Sequence, residues 1–209
     1  VAVTGVQTCA LPISTHRFVT ALEHLIALDL TEFGIAAPLS AGLTDNAPYL
    51  ALDFVAAESF DVVVRDYGSA PVADALRLAK SVGATLDFAA AKQIFHGALH
   101  PRDVLVSAEE VRVTGLGIAQ ALEEGHLVPP VRRPYTAPER LSGEAWDYRA
   151  DLFSLAALVF EMLFGRRIAG AGAAAADAAT RIPGADVVRL RLLFAKALAE
   201  QPKIGRAHV

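Results

Sequence analysis

The sequence is poor in cysteine, with only Cys9 among 209 residues. A lone cysteine cannot form an internal disulfide, which excludes the disulfide-stapled class of secreted domains and favours a cytoplasmic setting. The basic segment that opens a signal peptide is also missing. No apolar run reaches membrane-spanning length, because the longest, over residues 152–164, contains Glu161 and indicates a buried core helix. We therefore expect no membrane segment.

Charge is also scarce and nearly balanced. Charged residues make up 20% of the chain, and the formal net charge is −4. Such a composition gives no reason to expect nucleic acid or an anionic membrane as a partner. The hydrophobic fraction of 54% is large enough for a folded core, so the chain is not a disordered tail.

The two ends of the chain are related at the level of DNA. Residues 204–209 can be back-translated into a DNA sequence whose reverse complement, read in a frame shifted by one base, encodes Thr-Cys-Ala-Leu-Pro. These five residues are the sequence at 8–12. That DNA resembles a short-read sequencing adapter. We therefore expect residues 1–13 and 204–209 to be adapter-derived and to make few contacts in the fold.

Hydrophobic periodicity predicts an α+β protein without internal repeats. Two strand-like runs on either side of Thr-Asp-Asn-Ala-Pro predict a hairpin, and a second, shorter strand pair follows the longest helix. The predicted helices cover 18–29, 72–95, 150–165 and 187–199, and the predicted strands cover 35–43, 48–55, 103–107 and 111–117. We expect a short helix or irregular connection near 56–68, a loop over 120–135, and a loop or weak helix over 169–180.

Four segments in this order resemble motifs of the protein kinase family, in particular the bacterial serine/threonine kinases. They are His-Gly-Ala-Leu-His-Pro-Arg-Asp from position 96, Val-Arg-Val-Thr-Gly-Leu-Gly from 111, Ala137-Pro138-Glu139, and the apolar stretch 148–167. The resemblance covers residues 16–203. It implies a kinase-like fold with an N-lobe remnant over 14–56, made of one helix and a hairpin, and a mostly helical C-lobe over 57–203 that is truncated at its end.

The catalytic positions of the family are degenerate in this chain. His96 is retained, but Ala98 stands where the family has the aspartate beside the attacking hydroxyl, and His100 stands where it has a lysine. Alanine can neither accept a proton nor orient a hydroxyl group. The resemblance therefore implies no intact catalytic residue.

The metal and nucleotide positions are also depleted. Asp103 aligns with the family's metal-binding asparagine and is the remaining candidate ligand, whereas Gly115 stands at the position of the magnesium-binding aspartate. A solvated loop is favoured over a metal site for His100 and Asp103. Nothing in the sequence matches the glycine-rich loop or its lysine, and the helix glutamate aligns with Ala21. No cofactor is expected, and Mg-ATP is expected only if the chain is active.

The residues that the family uses to hold its fold are present. By resemblance, Asp151 caps its helix and accepts hydrogen bonds from the catalytic-loop backbone, and Gly117 and Pro138 keep their structural positions. Glu139 pairs in the family with an arginine that would fall at position 205, where this chain has Gly205. We expect Arg132 and Arg133 to be solvated surface residues, although such a pair can bind phosphate.

Three functions stay open from the sequence. The first is a pseudokinase that acts as a signalling, regulatory or protein-interaction module through a protein partner. The second is an active serine/threonine kinase whose nucleotide-binding strands are missing from this fragment, with Asp103 as a metal ligand. The third is a fragment without independent function.

Overall fold

The structure, a computed structural model, describes residues 2–5, 12–31 and 34–200. Helices dominate, and two small antiparallel sheets complete an α+β fold, as predicted. In chain order the elements are β1 Ala2–Gly5, α1 Pro12–Ala27, β2 Pro38–Thr44, β3 Ala47–Leu52, β4 Glu58–Ser59, α2 Phe60–Tyr67, α3 Val72–Ala91, a 3₁₀ turn Pro101–Asp103, β5 Val104–Val106, β6 Val111–Val113, α4 Ile118–Glu124, α5 Pro138–Ser142, α6 Tyr148–Phe164, α7 Gly172–Asp177 and α8 Val187–Ala197.

The first sheet has the strand order β1-β3-β2 and contains the predicted hairpin. Its turn is Asp45-Asn46, and both residues have positive φ, as two-residue hairpin turns require. Strand β1 pairs with β3 along its whole length, from Ala2 opposite Leu52 to Gly5 opposite Tyr49. The expectation that residues 1–13 make few contacts is therefore wrong for residues 2–5. Residues 204–209 lie outside the described residues, and the adapter origin of both ends stays a prediction.

Helix α1 joins the first sheet to the rest of the molecule. Phe18 and Leu22 are buried against Leu50 of β3 and Leu122 of α4. The periodicity that predicted this helix from residue 18 is correct, but the helix already begins at Pro12. It begins earlier because proline at a helix start costs no hydrogen bond.

The main core lies around α6, whose sequence is apolar on nearly all sides. Val82 of α3 and Leu158 of α6 are fully buried, and the ring of Phe160 lies 5.3 Å from that of Phe194 in α8. The hydroxyl of Ser154 lies within hydrogen-bonding distance of the carbonyl oxygens of Tyr135, at 2.8 Å, and of Ala150, at 3.0 Å, so this buried polar group is paired. None of the described helices has the length and apolarity to span a membrane.

One stretch predicted as a loop begins with a helix, because α4 starts at Ile118 and extends into the stretch predicted as a loop from residue 120. Helix α7 lies within residues 169–180, where a loop or weak helix was predicted. The α4 sequence has apolar residues at helical spacing, but it is too short to show a period and is followed by Pro129, Pro130 and Pro134. The second sheet, β4-β5-β6, places the loop before β5 beside the segment after β6.

Candidate functional site

The loop between α3 and β5 is held by a carboxylate beneath it. Asp151 is buried in the first turn of α6, and its two oxygens accept hydrogen bonds from the backbone N–H of His96 at 2.8 Å and of Gly97 at 2.7 Å. Burial raises the pKa of Asp151, while the neighbouring His96 and the two backbone N–H groups act to lower it. The loop backbone is thereby fixed to the central helix.

The cap of α6 is a different residue from the one expected. Asp147 is the N-cap, and its side chain accepts from the backbone N–H of Arg149 at 2.9 Å. The expectation that Asp151 caps this helix is therefore wrong, because Asp151 lies one turn further along and faces the loop. Its carboxylate still benefits from the positive end of the helix dipole.

Ala98 and Gly115 lie on the wall of one cavity of about 430 Å³. The cavity lies between α1, β3, α4 and the loop, and its lining is mainly apolar. Its polar side chains are those of Tyr49, His96, Asp103, Thr114 and Arg132. The family has a carboxylate at each of these two positions, one for proton chemistry and one for metal binding. In this chain Ala98 has only a buried methyl group there, and Gly115 has no side chain.

Asp103 is already paired with a cation of the chain itself. One Oδ oxygen accepts from the guanidinium of Arg132 and from the backbone N–H of His100 at 3.0 Å. The Nε2 atom of His96 lies 3.5 Å from the same oxygen and 3.0 Å from the carbonyl oxygen of Thr114. Arg132 was expected to be a solvated surface residue; its side chain is 36% exposed, but its guanidinium lines the cleft and pairs with Asp103.

Of the two positions that the family uses for magnesium ligands, one carries a carboxylate in this chain, that of Asp103. In the part of the chain that the structure describes, no group of three or more His, Cys, Asp or Glu side chains lies close enough together to hold a metal ion. Asp103, the candidate ligand, has an arginine at its oxygen. Magnesium favours several oxygen ligands in near-octahedral geometry, and the positions of Ala98 and Gly115 supply none.

His100 stands at the lysine position but carries no comparable charge. Burial lowers the pKa of this imidazole, and the nearby Arg132 and Arg102 lower it further against the opposing effects of Asp103 and Asp61. Its Nδ1 accepts from the backbone N–H of Arg102 at 3.2 Å, which caps the 3₁₀ turn. Its ring meets that of Tyr135 edge-on at 4.9 Å. The contacts describe a structural histidine.

The remaining predicted structural residues lie near helix starts. Gly117 is the N-cap of α4, and Pro138 begins α5. Glu139 is buried, while the position of its expected partner, Gly205, lies outside the described residues. The pKa of Arg149 is raised, chiefly by its hydrogen bond with Asp147 and to a smaller extent by Glu139. Arg149 is thus a neighbouring cation that sequence reasoning missed.

The ion pair between Asp103 and Arg132 was also not predicted from the sequence. The two residues are 29 positions apart, and no local pattern links them. The signal that was available is the presence of an arginine shortly before Tyr135, in a segment that the resemblance places over the cleft.

Comparison with known proteins gives one consistent family. A family model described as "Protein kinase domain" matches residues 21–195. Serine/threonine-protein kinase PknJ of Mycobacterium tuberculosis is 30% identical over 208 residues, which is 89% of this chain and 35% of that protein. Serine/threonine-protein kinase PknB of Mycobacterium leprae is 27% identical over 151 residues, which is 69% of this chain and 24% of that protein.

Solved structures show the same fold. The kinase domain of PknI from Mycobacterium tuberculosis matches with a TM-score of 0.71 at 20% identity, covering 96% of this chain and 77% of that structure. The chain spans about a third or less of the length of these two curated relatives.

Proposed function

This chain belongs to the protein kinase family, and we propose that it is a catalytically inactive member that works by binding a protein partner in signalling. Its fold is that of a protein kinase domain, and its relatives are bacterial serine/threonine kinases. The proposal concerns what the cleft does within that fold. A cytoplasmic location is part of the proposal and depends on the low cysteine content.

The observation that carries the proposal is the state of the cleft. Phosphoryl transfer needs a carboxylate that orients the nucleophile and metal ions that neutralise the phosphates. Here Ala98 and Gly115 supply no carboxylate, and Arg132 pairs with one of the two oxygens of Asp103. Losing one general base or one electrostatic clamp typically costs ~10²–10⁴ in rate. Several losses in one site leave little useful transfer, even though such effects are not additive.

The frame around this cleft is intact, which supports a binding role. Asp151 still fixes the loop, and the helical core is fully packed. A protein partner fits better than nucleic acid, because the net charge of the chain is −4. The chain's own residues do not hold Mg-ATP under this proposal.

An active kinase is the second candidate, and the names of the relatives favour it. In that case Asp103 would bind the metal after releasing Arg132, and His100 would stand in for the lysine. Nucleotide-binding strands that this sequence does not contain would be required. Both candidates share the fold and differ in whether phosphate is transferred.

The test is transfer of radiolabelled phosphate from ATP to a generic basic protein. We expect the unmodified protein to be silent, and we expect Ala98→Asp alone to stay silent because Gly115 still cannot hold magnesium. A Cβ at position 115 would lie 3.2 Å from Nε2 of His96, so Gly115→Asp also requires that ring to shift.

Robust phosphorylation by the unmodified protein would overturn the proposal. The active alternative further requires that His100→Ala and Asp103→Ala each abolish this activity. A Glu124→Ala variant, altered at an exposed residue away from the cleft, serves as the matched control.

A further inference from the structure

The segment that follows Gly115 cannot be controlled by phosphorylation in the usual way. Residues 115–134 contain no serine, threonine or tyrosine. The next two residues, Tyr135 and Thr136, are 1% and 3% exposed, and both side-chain oxygens are bonded within the fold. In protein kinases this activation segment is commonly ordered when an added phosphate pairs with arginine. This chain must order its segment by other means.

A carboxylate in the segment itself takes part in the contact that orders it. Glu123 lies in the last turn of α4, and its side chain pairs with the guanidinium of Arg140 in α5. The indole Nε1 of Trp146 donates to both oxygens of Glu123, at 3.2 and 3.1 Å. One carboxylate therefore accepts from two side chains that lie beyond the segment.

Arg140 continues this contact to the catalytic loop. Its Nε donates to the carbonyl oxygen of Gly97 at 3.0 Å, and its guanidinium lies 4.1 Å from the centre of the Trp146 ring. The Arg140 side chain is only 7% exposed, whereas that of Glu123 is 40% exposed, so solvent reaches the pair from the Glu123 side alone. Glu123, Arg140 and Trp146 thus connect the segment, the loop and the start of α6.

The contact depends on a missing side chain at position 97. Gly97 has φ of +68°, and a Cβ added there would lie 2.5 Å from Cη2 of Trp146. The resemblance places an arginine of the family at this position. In this chain the ring of Trp146 and the guanidinium of Arg140 fill the space beside the bare backbone. The bare backbone at position 97 and the side chains at 140 and 146 therefore form one arrangement.

We propose that Glu123, Arg140 and Trp146 form a permanent latch that holds the activation segment against the catalytic loop without phosphorylation. The Glu123 carboxylate serves as the built-in anion. The latch concerns the conformation of the segment and goes beyond the proposed function, since it holds the segment whether or not the cleft transfers phosphate.

Hydrogen exchange measured by mass spectrometry tests the latch on the full chain. In Glu123→Ala, amide exchange over residues 118–131 and 95–98 should rise by roughly tenfold or more, while exchange in α3 and in the middle of α6 stays unchanged. Glu124→Ala is the matched control, because it removes an exposed carboxylate one position away on the same helix. The control should leave the exchange of both segments as it was.

If Glu123→Ala unfolds the whole protein, the milder variant Glu123→Gln can still test the latch. Glu123→Gln keeps an acceptor for Trp146 and loses the charge opposite Arg140, so a smaller rise confined to the same segments is expected. A uniform rise across the chain, or no rise, in Glu123→Gln would overturn the latch.

A second pair of variants tests the space at position 97. Gly97→Ala should expel Trp146 and raise exchange over 118–131. Gly68→Ala introduces alanine at a similar φ of +73°, where nothing lies within 4 Å of the added Cβ. It should therefore strain the backbone without a selective rise in amide exchange over 118–131. Equal profiles for the two variants would contradict the latch. Phosphorylation of the folded protein within residues 115–137 by an added active kinase would also contradict the latch.

Discussion

At the residue scale, the position of the catalytic loop depends most directly on Asp151. Its two oxygens accept from two consecutive backbone N–H groups at 2.7 and 2.8 Å, inside a site that is almost closed to solvent. Hydrogen bonds to a buried charged acceptor are stronger than those between neutral groups. Removing one acceptor would leave a buried N–H unpaired, which is costly.

We expect Asp151→Asn to lower the free energy of unfolding by about 1–3 kcal/mol, since the amide has one oxygen for two donors. Urea unfolding followed by circular dichroism measures the change. Asp87→Asn, at an exposed position on α3, is the control and should change stability by less than about 0.5 kcal/mol. Equal effects of the two substitutions would show that Asp151 does not hold the loop.

His100 gives the stability a defined pH dependence. Burial lowers its pKa in the fold below the ordinary value of 6.5, so below that pH the unfolded chain binds more protons than the native one. The contribution of His100 to stability is then present above about pH 6.5 and is lost as the pH falls towards the folded pKa.

His100→Asn should reduce the loss of stability between about pH 7.5 and about pH 5.5, because asparagine does not titrate there. The measurement is the urea midpoint at both pH values for the variant and the parent. His126→Asn replaces an exposed histidine with positive φ, which asparagine tolerates, and serves as the control. A variant that loses as much stability on acidification as the parent would contradict the assigned pKa direction.

Single positions also show what the sequence can and cannot predict about the site. Ala98 and Gly115 were identifiable because a missing carboxylate is visible in the motif itself. The pairing of Arg132 with Asp103 and the contacts of Arg140 were not, because they join residues that only the folded chain brings together. Side-chain direction in an irregular segment has no periodic signal from which it can be predicted.

At the element scale, burial around α6 decides how the helices pack. Phe194 is the fully buried residue of α8, and its ring packs against Phe160 and Phe164 of α6. The other face of α8 leaves Leu192 and Leu193 largely exposed. One aromatic side chain therefore anchors this helix to the core.

Phe194→Ala should destabilise the protein by about 3–5 kcal/mol, through lost burial and the cavity left behind. Leu192→Ala, two residues away and 67% exposed, should cost far less and is the matched control. Thermal unfolding of both variants checks the difference. Similar losses would show that α8 is not anchored through Phe194.

The long elements and the short β5–β6 pair were predictable, whereas α4 and β1 were not. Helices α3, α6 and α8 and the β2–β3 hairpin follow from apolar spacing and turn residues that extend over many positions. Helix α4 has seven residues, which is under two turns, and its burial against α1 decides its conformation. Strand β1 was missed because its origin was judged from DNA, whereas its pairing with β3 is a tertiary contact.

At the scale of the whole molecule, the chain keeps the frame of a protein kinase domain and has no carboxylate at positions 98 and 115 of the cleft. The carboxylate under the loop, the packed α6 and the latch all stabilise shape. The cavity wall is apolar, and the one remaining metal-site carboxylate is neutralised by Arg132. We therefore expect this domain to act by binding a partner through its surface and not by transferring phosphate.

The most direct test of this central claim is thermal unfolding with and without Mg-ATP at millimolar concentration, with ATP plus a chelator as the second arm. The account predicts the same midpoint in all conditions, because neither nucleotide nor metal finds its ligands. A ligand present at about 100 times its dissociation constant stabilises a protein by ~2.7 kcal/mol. A clear upward shift that requires magnesium would contradict the account.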